Sequence, residues 1–199
     1  ELEGHNWTSD LFGEFEKRRG YRLQPYIYAL YGELDDIGEG VRYDFHLTMS
    51  ELMNENFIGY MTDWCHRAGS RSRIQAHGAW SDILMAYGLA DIPEGETFSP
   101  FDRLEVNTVH RRIASSAAHL YGRPVVSNES FTWLRFPRFT ETPEQIKAAA
   151  DSIFLDGMNK IYNHGYSYSP ENAEGLGWPF YASSHICHTN PWWPWFHHL

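Results

Sequence analysis

A chain of 199 residues with a formal net charge of −10 is long enough for one ordinary domain. It is too acidic to favour nucleic acid, whose phosphates call for a basic surface. No apolar run approaches the roughly 18 residues of a membrane span, and two cysteines, Cys65 and Cys187, are too few for a disulfide framework.

The chain opens on Glu1-Leu2-Glu3-Gly4 without Met, which suggests a piece cut from a longer protein. Residues 6–20 read as a helix, with Asn6 or Thr8 as cap, an apolar stripe of Leu11, Phe12 and Phe15, and a basic last turn Lys17-Arg18-Arg19 stopped by Gly20. Residues 21–31 are aromatic and broken by Pro25, and 32–40 form an acidic, Gly-containing loop. A long helix follows from about Asp44 to Ala68, with Phe45, Leu52, Met53, Phe57, Tyr60, Met61 and Trp64 at helical spacing and Cys65 as a core thiol. Residues 72–76 form a short strand running into Gln75-Ala76-His77-Gly78, and Ser81 caps a short helix ending at Gly88.

Residues 90–100 read as a loop rich in acids, with Asp91, Glu94 and Glu96. Helix 102–121 gives way to the β-branched pair Val125-Val126 and then to Glu129, a carboxylate at a strand end. Thr142-Pro143-Glu144-Gln145 is a capping box that starts a helix running to Gly157. Residues 158–162 form a strand ending in Asn163-His164-Gly165-Tyr166, and the remainder is loop with a further helix near Pro191.

Strands alternating with helical crossovers pair in parallel. The expected fold class is α/β, part of a (β/α)8 TIM-type barrel with three strands and Glu1 as the end of a candidate fourth. The C-terminal ends of parallel strands share one face, where such folds place their chemistry. That face would gather Glu1 and Glu3, then Gln75 and His77, then Glu129, then Asn163, His164 and Tyr166, with the Asp91–Glu96 loop folding over it. Carboxylates with amides, imidazoles and rings, and no Ser or Cys nucleophile motif, suit glycoside cleavage, which needs one carboxylic acid and one carboxylate base or nucleophile. Eight Trp and an aromatic content of 16% fit a sugar site as well as they fit core packing. Two competing patterns carry less weight. His185-Ile186-Cys187-His188 and His197-His198 match no standard zinc spacing, and the sequons at Asn6 and Asn128 are short enough to arise by chance.

In this order, Asn6-Trp7-Thr8, Phe15 to Tyr21, Trp64-Cys65-His66, Gln75 to Gly78, Asp91 to Glu96, Glu129 to Thr132, Asn163 to Tyr166 and Asn190 to Trp193 together resemble the bacterial α-L-rhamnosidases of glycoside hydrolase family 106. The resemblance covers essentially the whole chain. It implies that residues 1–199 are a single partial catalytic barrel domain, truncated at both ends, of a larger enzyme that is periplasmic or secreted and carries flanking β-domains. It further implies an inverting mechanism on rhamnose-containing oligosaccharides or glycosides, and a calcium ion that holds the rhamnose hydroxyls. By position, Glu1 would be the general acid, Glu129 the general base, and Glu96 a calcium or sugar contact, with Glu94 as the alternative. Gln75, His77, Asn163, His164 and Tyr166 would orient the sugar, and Trp178 would stack on it. The Asp-Ser pair expected before Glu1 is missing, so the isolated piece is expected to be inactive. The alternatives are a non-catalytic carbohydrate-binding remnant and a hydrolase of another deoxysugar.

Overall fold

In the computed structural model of the chain the described residues are 7–31, 36–97, 109–134, 137–166, 168–175, 177–178 and 184–199, with backbone alone at 109 and 110. Strands β1 (Arg73–Ile74), β2 (Ile92–Glu96), β3 (Ser127–Ser130) and β4 (Lys160–Asn163) form one sheet in that order, every pair parallel. Three helices make the crossovers: α4 (Ile83–Leu89), α5 (Val109–Tyr121) and α6 (Pro143–Leu155). The fold class read from the alternating pattern is therefore the observed one.

Side-chain alternation along the strands divides the sheet into two unlike faces. Ile74, Ala76, Val126 and Ile161 join Ile58, Ala86, Ala114, Ala117 and Ile153 in a core beneath the helices. The opposite face carries Arg73, Gln75, Glu94, Glu96, Ser127, Glu129, Lys160 and Tyr162, and is polar except for the buried Ile92 beside Arg73. Arg73 on β1 lies 3.6 Å from the ring centroid of Tyr162 on β4. Those strands would stand about 14 Å apart on a flat sheet. The contact is what a sheet curled around its polar face produces, as in a partial barrel.

One strand differs from the sequence reading. Residues 92–96 were expected in a loop, yet they form a strand in the middle of the sheet, the fourth among the described residues; the candidate strand ending at Glu1 lies outside those residues. Glu1 and Glu3 lie outside the described residues. Pro93 and Gly95 disguise the strand, and both have a structural reason. Pro93 pairs only with the two-residue β1, where few ladder bonds are lost. At Gly95 a Cβ would meet Met158 Cε at 2.9 Å, Arg111 Cα at 3.1 Å and Asn128 Oδ1 at 3.2 Å, so α5 packs directly on the strand backbone.

Before the sheet, α1 (Leu11–Arg19), a 3₁₀ turn (Gln24–Leu30) and α2 (Asp36–Met53) enclose a second core of Leu11, Phe15, Leu23, Ala29, Val41, Phe45 and Leu52. The expected acidic loop at 32–40 is helical from Asp36 onward, and the helix runs through a π segment (Asn54–Gly59) into α3 (Tyr60–Arg67). Its first half buries its apolar stripe as the periodicity predicts. Its second half does not: Phe57, Tyr60, Met61 and Trp64 are exposed and Cys65 is only half-buried. The basic turn of α1 is satisfied internally, Arg18 by Glu14, Glu51 and Glu55, and Arg19 by Thr48 and Glu51.

Two clamps fix the long helix against the sheet. At the upper end Ser81 Oγ donates to Asn54 Oδ1 (3.0 Å) and the Asp82 N–H donates to Ser50 Oγ (2.6 Å). Asp82, rather than Ser81, caps α4 by accepting from the Met85 N–H. At the lower end Asp91 accepts from the Ser72 N–H (2.8 Å) and pairs with His66 (2.8 Å), so it stands at the base of β2, away from the strand ends. Burial pushes the Asp91 carboxyl up, but the Ser72 N–H and His66 outweigh that and hold it below the ordinary carboxylate value. A carboxyl depressed on folding stabilises fully above its unfolded value of about 4, and that contribution drains away as pH falls through the folded value. Asp91→Asn should therefore cost thermal stability at pH 6, and the gap to wild type in melting temperature should narrow below about pH 4. A gap of constant size across that range would count against the clamp.

After β3 the capping box forms as read, with Thr142 Oγ1 accepting from Gln145 N–H and Gln145 Oε1 accepting from Thr142 N–H. The C-terminal segment closes with α7 (Trp193–His198), where Trp192, Trp193 and Phe196 pack beside Phe131, Trp133 and Ile186.

Candidate active site

The strand register builds the polar face in rows. Glu94 is the lateral partner of Ser127, and Ser127 of Lys160. One step nearer the C-terminal ends, Glu96 partners Glu129, and Glu129 partners Tyr162. Two carboxylates thus lie side by side at the strand ends, on neighbouring strands about 4.8 Å apart.

Each carboxylate is held differently. Glu94 is buried, with Oε2 accepting from Ser127 Oγ (2.6 Å) and paired with Arg73 (3.1 Å), while Oε1 accepts from Gln75 Nε2 (3.1 Å). The Gln75 amide also donates to Glu129 Oε2 (2.7 Å), so one nitrogen ties two acids together. Glu129 Oε1 accepts from Thr132 Oγ1 (3.2 Å) and faces His164 Nε2 at 3.8 Å, an ion-pair distance too long for a hydrogen bond. The Glu129 side chain keeps 27% of its surface exposed, whereas Glu94 keeps 5%. Glu94 reads as scaffold; Glu129 is the acid that solvent or a substrate reaches.

Glu96 accepts from His77 Nε2 (3.2 Å), and His77 Nδ1 lies 3.2 Å from the Tyr87 hydroxyl. Burial pushes the Tyr87 phenol up to about 12, so it keeps its proton. A neutral imidazole that donates at Nε2 accepts that hydroxyl at Nδ1. The chain Tyr87–His77–Glu96 therefore orients the imidazole beside the carboxylate row. At the other end, Phe131 turns out of β3 through a left-handed backbone (φ 69°), which brings Thr132 back over Glu129. Ser184 Oγ lies between the carbonyls of Phe131 (2.5 Å) and His164 (2.8 Å), which share its one proton.

Of the residues singled out from sequence, Gln75, His77, Glu96, Glu129 and His164 meet here. Asn163 does not. It shares the helix-facing side of β4 with Ile161 and lines a cleft with Lys147, Asp151 and Phe196, because strand alternation turns it away from Tyr162 and His164. Tyr166 lines a separate cleft of about 330 Å³ with Ser169, Glu171, Cys187 and His188. Trp178 is exposed beside that cleft, its backbone N–H donating to Ser169 Oγ. Glu1 lies outside the described residues. Arg73, Ser127, Thr132, Lys160 and Tyr162 join the face without having been anticipated, and extending period-two alternation back from Gln75 and Glu129 would have found Arg73 and Ser127.

Among the described residues no three His, Cys, Asp or Glu side chains are grouped closely enough to hold a metal ion. His185 Nε2 and Cys187 Sγ do meet at 2.9 Å, both buried. Asn128 is buried and bonded to Thr97 and Ser130, which leaves its sequon inaccessible in the folded chain.

A family model described as alpha-L-rhamnosidase, glycoside hydrolase family 106, matches residues 1–194. The chain belongs to this family. A protein of known structure, the rhamnosidase from Novosphingobium sp. PP1Y, superposes with a TM-score of 0.67 at 28% identity, over 80% of this chain and 16% of that one. A Formosa agariphila protein, provisionally named a beta-glucuronidase, is 30% identical over 195 residues, which are 94% of this chain and 16% of that protein. This family 106 chain thus spans 16% of the length of either relative.

Proposed function

We propose that this chain supplies the catalytic face of an α-L-rhamnosidase that acts on rhamnose-containing oligosaccharides or glycosides with inversion. The observation that carries the reading is Glu129: a partly exposed carboxylate at the end of β3, beside Glu96, held by donors from Gln75 and Thr132. Family membership directs that geometry toward rhamnosides.

In the proposed step a water attacks the anomeric carbon and gives its proton to Glu129, while the glycosidic oxygen leaves with a proton from a carboxylic acid, for which Glu1 is the candidate. Inversion requires the two carboxyl groups about 6.5–9.5 Å apart, with the water between them. His164, which faces Glu129, would donate to a sugar hydroxyl, and His77, whose one N–H goes to Glu96, would orient the sugar by holding that carboxylate in place. Calcium remains part of the proposal through Glu96, whose oxygens are the ligand type a hard cation takes. With no protein group of three ligands near it among the described residues, the ion would complete its shell from sugar hydroxyls and water. A bound ion would supply charge stabilisation and fix vicinal hydroxyls.

The test is turnover by the full-length protein. Hydrolysis of 4-nitrophenyl α-L-rhamnoside, with β-L-rhamnose as the first anomer seen by proton NMR, is the expected result. α-L-rhamnose as the first anomer would overturn inversion. Turnover of 4-nitrophenyl β-D-glucuronide in its place would overturn the substrate assignment, and binding of L-rhamnose without turnover would favour a carbohydrate-binding remnant.

A further inference from the structure

Beside the carboxylate row, and not part of it, lies an open cleft of about 510 Å³ between α2 and the loop that follows β1. Its walls include Tyr43, His46 and Ser50 from the helix and Gly78, Trp80 and Asp82 from the loop. Its volume falls within the roughly 300–1,000 Å³ of small-molecule sites. Trp80 is 42% exposed and Tyr43 is 67% exposed, two large rings that the fold leaves in water.

The exposed tryptophan is nevertheless held firmly. His46 stacks against it, with centroids 5.1 Å apart and planes 19° from parallel. The loop that carries it is tied by Ser81 to Asn54, by the Asp82 N–H to Ser50, and by the Ala79 N–H to the Ala76 carbonyl. Gly78, at φ +81°, makes the turn between His77 and the loop that carries Trp80. A rigid, solvent-facing ring with hydroxyls and a carboxylate nearby presents an apolar platform with polar edges. A pyranose is amphipathic in the same way, with C–H groups on its faces and hydroxyls on its rim. Position supplies the rest. Trp80 is three residues beyond His77, so the two Cα atoms lie at most about 10 Å apart, a separation on the scale of a disaccharide.

We propose that this cleft is a subsite for the sugar on the leaving-group side of the bond, with Trp80 as the stacking platform and Tyr43 as its flank. The proposal rests on the glycoside hydrolase reading and adds a preference for rhamnose linked to another sugar. The experiment uses the full-length protein and two kinds of substrate. One is a set of α-L-rhamnosyl-(1→2), (1→4) and (1→6) disaccharides of glucose. The other is α-L-rhamnosyl fluoride, whose leaving group is too small to enter the cleft. Trp80→Ala should lower kcat/KM on at least one disaccharide tenfold or more and leave the fluoride within twofold, while Trp80→Phe should keep at least half of the wild-type disaccharide value. Unchanged disaccharide turnover, or an equal fall on both kinds of substrate, overturns the subsite. If the wild-type protein turns over neither kind, the rhamnosidase reading falls by itself. Calorimetric titration with the same disaccharides then decides the subsite: binding lost in Trp80→Ala and kept in Trp80→Phe supports it, and no difference between wild type and Trp80→Ala overturns it.

Discussion

Glu129→Gln in the full-length protein is expected to lower kcat for rhamnoside hydrolysis by roughly 10²–10⁴, the usual contribution of a positioned base, with little change in KM. The substitution is informative because it removes so little else. A glutamine side-chain oxygen can still accept from Gln75 Nε2, and its amide can donate to Thr132 Oγ1, which accepts as readily as it donates. Packing and stability should therefore stay near wild type, and the loss isolates proton transfer. Steady-state kinetics alongside a thermal melt would check both halves. Full activity in a folded Glu129→Gln variant removes Glu129 from the reaction, and with it the strand-end reading of this face.

The second large effect is expected far from the chemistry. Asp156, at the C-terminal end of α6, receives Arg111 Nε at 2.7 Å and Arg112 Nε at 2.9 Å. The Arg111 and Asp156 side chains keep only 2% and 4% of their surface exposed. Ser115 Oγ donates to the Asp156 carbonyl, so α5 and α6 are joined at one corner. Asp156→Ala removes one partner of a buried ion pair, a loss of up to about 3–5 kcal/mol in folds whose whole stability is about 5–15 kcal/mol. Arg112, largely in water, contributes far less. The urea midpoint of the transition that reports this sheet should drop accordingly. The double variant Arg111→Met, Asp156→Leu should recover most of the loss, because replacing a buried pair by apolar groups is often close to neutral. An Asp156→Ala midpoint within experimental scatter of wild type would show that the pair carries no net stability.

How much of this was readable in advance depended on which face of an element the residues describe. Thr142 and Gln145 act within one helical turn, so their capping box stood in the sequence as it stands in space. The parallel sheet was legible because Val125-Val126 and the 158–162 segment each follow a helix stop. Ile92 to Glu96 was not, since its two glutamates point into the site and its proline and glycine answer to β1 and α5, partners far away in the chain. The stripe Phe57, Tyr60, Met61 and Trp64 misled in the opposite direction: helical spacing announces an apolar face without saying what will cover it. Asn163 shows how fine the margin is. It stands one residue from His164, and that single step sends it to the helices instead of the carboxylates.

The Gln75 amide has a consequence for how the chain finds its fold. Its nitrogen is donated to Glu94 on β2 and to Glu129 on β3, 54 residues away in the chain. A slip of any of these strands by one residue would turn that side chain, or its partner, toward the helices. The helix-facing core of Ile74, Ala76, Val126 and Ile161 sets the alignment from one side of the sheet, and the Gln75 amide adds a polar constraint from the other. A substitution at Gln75, Glu94 or Glu129 made to alter the proposed chemistry therefore also removes one of the two constraints on the alignment of the sheet.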